Sequence, residues 1–199
     1  MSLLFETIKV KGNVLLDIDY HNARMNKSRK ELFGAIDSWN LETMIDLPEL
    51  NPDQVYRCKC IYDMEFQSVD IVPYLVKPLK TLKLIPVDAN FYQYKYLNRT
   101  VFNCSKRKNF DVDDIIFVVN NKISDCSYAN LVFFDGINWI TPSTPLLKGT
   151  KRQRYLDEQI ISEHIIEPKD LKGFTKMKII NAMIDLDESP EISMANILV

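Results

Sequence analysis

The chain has 199 residues, 46% of them apolar and 26% charged, with a net charge of -2. That length suits one large domain or two small ones, and it can bury a core without disulfides or metals. The weakly acidic balance excludes a basic footprint for nucleic acid, so an anionic ligand must be held in a local pocket.

No apolar run approaches a membrane span. Glu6 and Lys9 fall inside the N-terminal stretch that a signal peptide would need apolar. The expectation is a cytoplasmic protein with no membrane and no nucleic-acid partner. Cys58, Cys60, Cys104 and Cys126 lack paired zinc spacing. Cys58-x-Cys60 fits two same-face positions of a strand, and reduced thiols are the simpler reading. No metal site is expected.

In chain order, residues 3–10 read as a strand in which Leu3, Phe5 and Thr7 alternate with Leu4, Glu6 and Ile8. Lys11-Gly12-Asn13 is a tight turn, and residues 14–18 return as the second arm of a hairpin. Asp19 is expected to cap a helix to about Asp37, with Ala23, Leu32, Phe33 and Ile36 on its apolar side. Residues 54–64 and 66–75 read as two paired strands. In the first, Val55, Arg57, Lys59 and Ile61 alternate against Tyr56, Cys58, Cys60 and Tyr62. Residues 81–87 form a further strand.

Residues 86–94 then read as a hinge, and residues 95–104 as a helix. Residues 115–120 form a buried strand. Residues 130–134 and 138–141 form a hairpin around Asp135-Gly136. Gly149-Thr150 opens a helix to about Gln159, followed by a strand over 160–166, a short helix from Glu167 or Pro168, and a last strong strand over 177–181. The predicted fold class is α+β: two small α/β domains, an N-terminal α+β domain over 1–87 and a C-terminal α/β domain over 88–199.

Some of this points to anion chemistry. Gly149-Thr150-Lys151-Arg152 enters a helix, and free backbone N–H groups at such a start bind phosphate, with glycine allowing close approach. The alternative is an ordinary helix start with solvated basic side chains. Arg24 on the first helix reads, taken alone, as a surface ion-pairing residue. Lys95, between Tyr94 and Tyr96, is either a partly desolvated nucleophile or a snorkelling lysine. His21 reads as a structural residue near a helix cap. His21 and His164 have no ligand partners at metal spacing, and no Gly-x-Ser-x-Gly elbow is present.

Taken in order, four segments resemble the class IV aminotransferases, the fold-type IV enzymes of pyridoxal 5′-phosphate (PLP). The first is Phe5-Glu6-Thr7-Ile8 followed by His21-x-x-Arg24-Met25-x-x-Ser28. The second is Lys95-Tyr96-Leu97-Asn98-Arg99, similar to the lysine segment of aminodeoxychorismate lyases. The third runs from Ile123 through Ser124-Asp125-Cys126 to Asn130 and Phe133. The fourth is Trp139-Ile140-Thr141-Pro142, Leu146 to Arg152, and Ile180-Asn181-Ala182-Met183.

The resemblance implies a cofactor cleft between the two domains and the following roles. Lys95 matches the lysine that forms a Schiff base with PLP and then acts as general base and acid. Arg24 matches the arginine on the cofactor phosphate. Thr150 and Lys151 match helix-start positions whose N–H groups reach that phosphate, and Ala182 a further backbone contact near it. Asp125 matches the carboxylate beside the pyridine nitrogen, and Asn130 belongs to its motif. Thr7 matches a threonine near the reacting centre, which implies a catalytic role.

The family usually has glutamate where Asp125 stands, and relatives carry a further strand and loop ahead of Phe5. The resemblance implies a 4-amino-4-deoxychorismate lyase, which eliminates pyruvate and leaves 4-aminobenzoate for folate biosynthesis. Its alternatives are an aminotransferase of branched-chain or D-amino acids and a PLP-binding relative without turnover. A small anionic amine is the implied substrate and a homodimer the implied assembly.

Overall fold

In the computed structural model, which describes residues 2–198, the first hairpin turns on two left-handed residues. Gly12 and Asn13 both have φ 58°, as a two-residue hairpin connection of the primed type requires. They join β1 (Leu4–Lys11) to β2 (Val14–Leu15). The return arm is shorter than expected, because Asp17 turns left-handed at φ 55° and helix α1 (Ile18–Phe33) starts at once.

Helix α1 also stops earlier than the expected Asp37. Gly34 adopts φ 73° and its N–H donates to the Lys30 carbonyl at 3.1 Å, a glycine C-cap that ends the helix. Ile36 is therefore fully exposed, not on the packed side. The buried residues of α1 are His21, Met25, Ser28 and Arg29, an i, i+4, i+7, i+8 stripe that is mostly polar. A search for apolar periodicity points to Ala23 instead, which is exposed. Arg29 lies 3.4 Å from the centre of the Trp39 ring and donates to Asp37 at 3.0 Å. A short helix α2 (Leu41–Met44) follows, capped by Asn40.

Strands β3 (Tyr56–Tyr62) and β4 (Phe66–Pro73) complete a four-stranded sheet in the order β2-β1-β3-β4. The antiparallel register of β1 on β3 pairs Leu4 with Tyr62, Glu6 with Cys60 and Ile8 with Cys58. Directly paired residues share a face, so these line one side. Leu4, Ile8, Val10, Cys58, Cys60, Tyr62 and Met25 form its core. Phe5, Thr7 and Lys9 share the other face with Ile61, Lys59 and Arg57.

Contacts divide the chain into two units: Met1–Val76 with Tyr94–Asn98, and Lys77–Gln93 with Arg99–Val199. The short returning stretch carries Lys95. It is not helical as expected: Phe5 N–H donates to the Lys95 carbonyl at 3.0 Å and Leu97 N–H to the Leu3 carbonyl at 2.8 Å. Backbone pairing against β1 thus overrides local helix tendency, and helix α3 (Thr100–Lys108) begins only afterwards.

The second unit holds two sheets. In one, β5 (Leu82–Val87) pairs in parallel with β6 (Asp114–Val119), which pairs antiparallel with β7 (Lys122–Cys126). Asn120 and Asn121, at φ 49° and 58°, make the tight turn between β6 and β7. Strands β8 (Asn130–Phe134) and β9 (Trp139–Pro142) form the expected hairpin in the other sheet. Helix α4 (Thr150–Asp157) leads to β10 (Ser162–His164), a 3-10 turn at Pro168–Gly173, and β11 (Lys176–Ile180), which pairs antiparallel with β8. Two short strands, β12 (Ile192–Ser193) beside β11 and β13 (Ile197–Leu198) beside β5, add edges to the two sheets.

Candidate active site

The expected site residues divide between the units. Thr7, Arg24 and Lys95 belong to the first, and Asp125, Asn130, Thr150, Lys151 and Ala182 to the second.

In the first unit, Arg24 is held by Glu6, a residue that sequence reading passes over. Arg24 Nε donates to Glu6 Oε1 at 2.9 Å and its Nη2 to Oε2 at 2.5 Å. His21 Nδ1 lies 2.6 Å from the same Oε2. Glu6 and His21 are fully buried and Arg24 nearly so. Burial opposes ionisation of Glu6, but the Arg24 charge and the hydrogen bonds from His21 and Arg24 outweigh it and hold the carboxyl down at about 2. Burial pushes the His21 pKa down, against the pull of Glu6. A signal for Glu6 was present: it interrupts the apolar face of β1 between Leu4 and Ile8, and His21 and Arg24 lie one helical turn apart.

On the opposite face of the sheet, the Lys95 ammonium lies 4.6 Å from the centre of the Phe5 ring. Lys95 is half-buried. Thr7, two residues along β1, shares the Phe5 face.

In the second unit, Asp125, the last residue but one of β7, is buried. Its oxygens accept from Asn130 Nδ2 at 2.8 Å and from the Leu147 N–H at 3.0 Å. Burial outweighs these bonds and raises its pKa to about 7. The loop that follows is pinned by Asp114, which accepts from Ser127 Oγ at 2.9 Å and from its N–H at 3.2 Å. Asn130 Nδ2 also donates to the Leu147 carbonyl at 2.9 Å.

Gly149 caps α4 against that asparagine: a Cβ there would sit 2.0 Å from Asn130 Oδ1. The close approach ties the Asp125–Asn130 pair to the start of α4, where the first amides have no partner within the helix. The α4 side chains turn to other partners. Lys151 Nζ meets Asp185 Oδ1 at 2.5 Å, and Arg152 donates to Glu163 at 2.6 Å and to the Pro142 carbonyl at 2.9 Å. Lys151 thereby fixes the 181–185 segment beside α4. There a turn closes with Met183 N–H on Asn181 Oδ1 at 2.8 Å and Ile184 N–H on the Asn181 carbonyl at 3.1 Å, with Ala182 at its bend.

The second unit therefore brings together Asp125, Asn130, Thr150, Lys151 and Ala182, with Gly149 as an addition. A buried carboxylate, a helix start and a turn amide suit a ligand with an anionic tail and a protonatable ring.

Comparison with known proteins agrees with the fold. The class IV amino-transferase family profile matches residues 3–186. The chain belongs to the class IV aminotransferase family and is an enzyme of that family. An uncharacterised protein of Haemophilus influenzae is 35% identical over 182 residues, which are 90% of this chain and 97% of that protein. A solved structure from Haemophilus somnus, described as a "putative 4-amino-4-deoxychorismate lyase", is 28% identical with a TM-score of 0.84. The match covers 92% of this chain and 97% of that one. The fold is also that of a hypothetical aminotransferase from Mycobacterium tuberculosis in its PLP-bound form. The two chains are 13% identical with a TM-score of 0.71, over 96% of this chain and 80% of that one.

Proposed function

We propose that this protein uses PLP to eliminate pyruvate from 4-amino-4-deoxychorismate, leaving 4-aminobenzoate. The observation that carries the reading is the placement of Lys95 over Phe5, on the sheet face that also presents Thr7. The lyase-like run Lys95-Tyr96-Leu97-Asn98-Arg99 and the likeness to the Haemophilus somnus structure favour the lyase over amino transfer.

The residues fit the cofactor. Asp125 is a buried carboxylate that accepts from two neutral donors, Asn130 and the Leu147 amide, and burial raises its pKa in spite of them and of the nearby Arg152 charge. A protonated ring nitrogen would supply the positive charge that keeps it ionised. Arg24, the amides of Thr150 and Lys151, and the amide of Ala182 would hold the phosphate. Lys95 would hold the aldehyde carbon covalently.

When bound, PLP supplies an electron sink for negative charge at the substrate carbon. The Lys95 amine removes the proton from the carbon that bears the substrate amine, and it returns a proton to the departing pyruvate. A positioned proton-transfer group of this kind is worth about 10²–10⁴-fold. Asp125 holds a proton at the ring nitrogen. Glu6 orients Arg24, so that the non-reacting end of the cofactor is fixed while the reacting end turns over. Thr7 would face the reacting groups from the side that Phe5 shares.

The test is borohydride reduction of the purified protein followed by peptide mapping, with product analysis on 4-amino-4-deoxychorismate. The expected results are a pyridoxyl group on Lys95, none on Lys95→Ala, and release of 4-aminobenzoate with pyruvate. Label on another lysine overturns the assignment of the residue. Amino transfer to 2-oxoglutarate without 4-aminobenzoate overturns the lyase reaction.

A further inference from the structure

The strip that carries Lys95, Tyr94–Asn98, groups with the first unit, and the residues on either side of it belong to the second. Both flanks are tied down beside Asp125. On the incoming side, Asn90 Nδ2 donates to the Pro145 carbonyl at 3.3 Å and the Leu146 carbonyl at 3.1 Å, and its Oδ1 accepts from the Tyr92 N–H at 2.8 Å. Leu147, the next residue of that loop, gives its own N–H to Asp125. On the outgoing side, Arg99 Nη2 donates to the Ser127 carbonyl, and its Nη1 donates to Tyr92 Oη at 3.1 Å. The bond between Arg99 and Tyr92 closes the two flanks on each other.

Arg99 is fixed in direction as well as position. Its guanidinium carbon lies 4.2 Å from the centre of the Phe102 ring and 5.4 Å from that of Tyr92. A planar fork held over aromatic faces keeps its donors pointing one way, which a flexible ammonium does not. Ser127 is the residue it reaches. The Ser127 N–H and Oγ both donate to Asp114, at 3.2 Å and 2.9 Å, so Asp114 and Arg99 together hold all three polar groups of one buried residue. The loop then closes with the Cys126 N–H on the Ala129 carbonyl at 3.1 Å, and Asn130 follows. The Tyr128 carbonyl accepts from Asn181 Nδ2 at 3.3 Å, which hangs the Ala182 turn from the same loop. An arginine kept only to cover apolar surface would place its head in bulk water. This one is half-buried on the loop that places Asn130.

We propose that Arg99 is a positioning residue: by holding Ser127 it keeps Asn130 on Asp125, and so sets how firmly Asp125 grips the ring nitrogen of the cofactor. The inference rests on the reading of Asp125 as the partner of that nitrogen. In this role Arg99 needs no contact with cofactor or substrate. Without its fork the Ser127 carbonyl loses a charge-assisted bond, the loop pivots on its Asp114 bonds, and the 2.8 Å bond from Asn130 to Asp125 loosens.

The test compares PLP with 1-deaza-PLP, in which a C–H replaces the ring nitrogen. The PLP-loaded full chain is brought to equilibrium with equal concentrations of the two, reduced with borohydride, and the two labels on Lys95 are counted by mass. Wild type is expected to favour PLP by about tenfold or more, since the analogue leaves a buried charged acceptor without its partner. Arg99→Gln should lower that ratio by about threefold or more, the scale on which members of one hydrogen-bond network couple. Arg99→Lys, which keeps a charged donor but not the fork, should lower it less. In an Asp125→Asn background, Arg99→Gln should leave the ratio unchanged. A purely structural role for Arg99 would weaken both labels equally, so an unaltered ratio in the Gln and Lys variants overturns the proposal. The Lys variant alone decides if the Gln variant does not fold. An equal fall in the ratio with and without Asp125 also overturns it, because the effect would not pass through that carboxylate. If wild type takes up both compounds equally, or carries no label on Lys95, the cofactor reading fails and the inference falls with it. A normal wild-type preference that survives in the Arg99 variants sinks the inference alone.

Discussion

Glu6 and Arg24 form a two-point ion pair, Nε to Oε1 at 2.9 Å and Nη2 to Oε2 at 2.5 Å, joining the core face of β1 to helix α1. The pair fixes the guanidinium in plane and direction, which a single contact does not. With His21 on the same carboxylate oxygen, the three side chains form one buried network.

Glu6→Ala leaves Arg24 and His21 without their shared acceptor. Breaking a buried pair by removing one partner costs about 3–5 kcal/mol. The expected outcome in denaturant titration is a loss of that order. PLP retention after dialysis should fall in Glu6→Gln as it does in Arg24→Ala. Equal retention in wild type and Glu6→Gln would remove the orienting role from Glu6. The pH dependence follows from the lowered carboxyl. Because the folded value of about 2 lies below the ordinary 4.5, the stabilisation is complete above 4.5 and is lost as pH falls toward 2. Glu6→Gln should flatten the acid limb of the stability curve.

Asp125 gives the opposite sign. Burial raises it from 3.8 to about 7, so the cofactor-free fold favours the protonated acid. Its contribution is complete below about 3.8 and is lost as pH rises through about 7. Thermal unfolding of cofactor-free protein should show a fall in stability across that window. Asp125→Asn should remove the fall, since a neutral amide has no charge to desolvate. In the PLP-loaded protein the fall should shrink, because a cationic ring nitrogen favours the ionised carboxylate. A window of the same depth with and without PLP would separate Asp125 from the ring.

Gly149→Ala inserts a methyl 2.0 Å from Asn130 Oδ1. The backbone there, at φ -67°, would accept alanine, so contact and not conformation sets the penalty. Forcing a methyl into packed structure costs about 1–3 kcal/mol. Asn130 must move, which loosens its 2.8 Å bond to Asp125 and displaces the α4 start. The measurable consequence is weaker PLP binding by equilibrium dialysis. Pairing Gly149→Ala with Asn130→Ala should restore part of the stability, as a double-mutant cycle would read.

A homodimer is expected for the active enzyme. Sedimentation equilibrium should return twice the chain mass for protein that turns over substrate. Activity that co-sediments with a single chain would contradict it.

Much of the secondary structure follows from residue order alone. The alternation along β1 and β3, the Gly12-Asn13 turn and the helix opening at Gly149 are local effects, set by side-chain period and backbone sterics. The family is legible for a related reason: the order of its motif segments along the chain survives without knowledge of any contact. The buried stripe of α1 was not legible, because His21, Ser28 and Arg29 are polar, and only partners such as Glu6 and Trp39 make their burial favourable. Nor was the extended path of Lys95, whose neighbours admit a helix until β1 offers backbone hydrogen bonds. The composition of this protein determined that it folds and which residues could do chemistry. Tertiary structure decided which charges meet, because pairing such as that of Glu6 with Arg24 depends on distance in space and not along the chain.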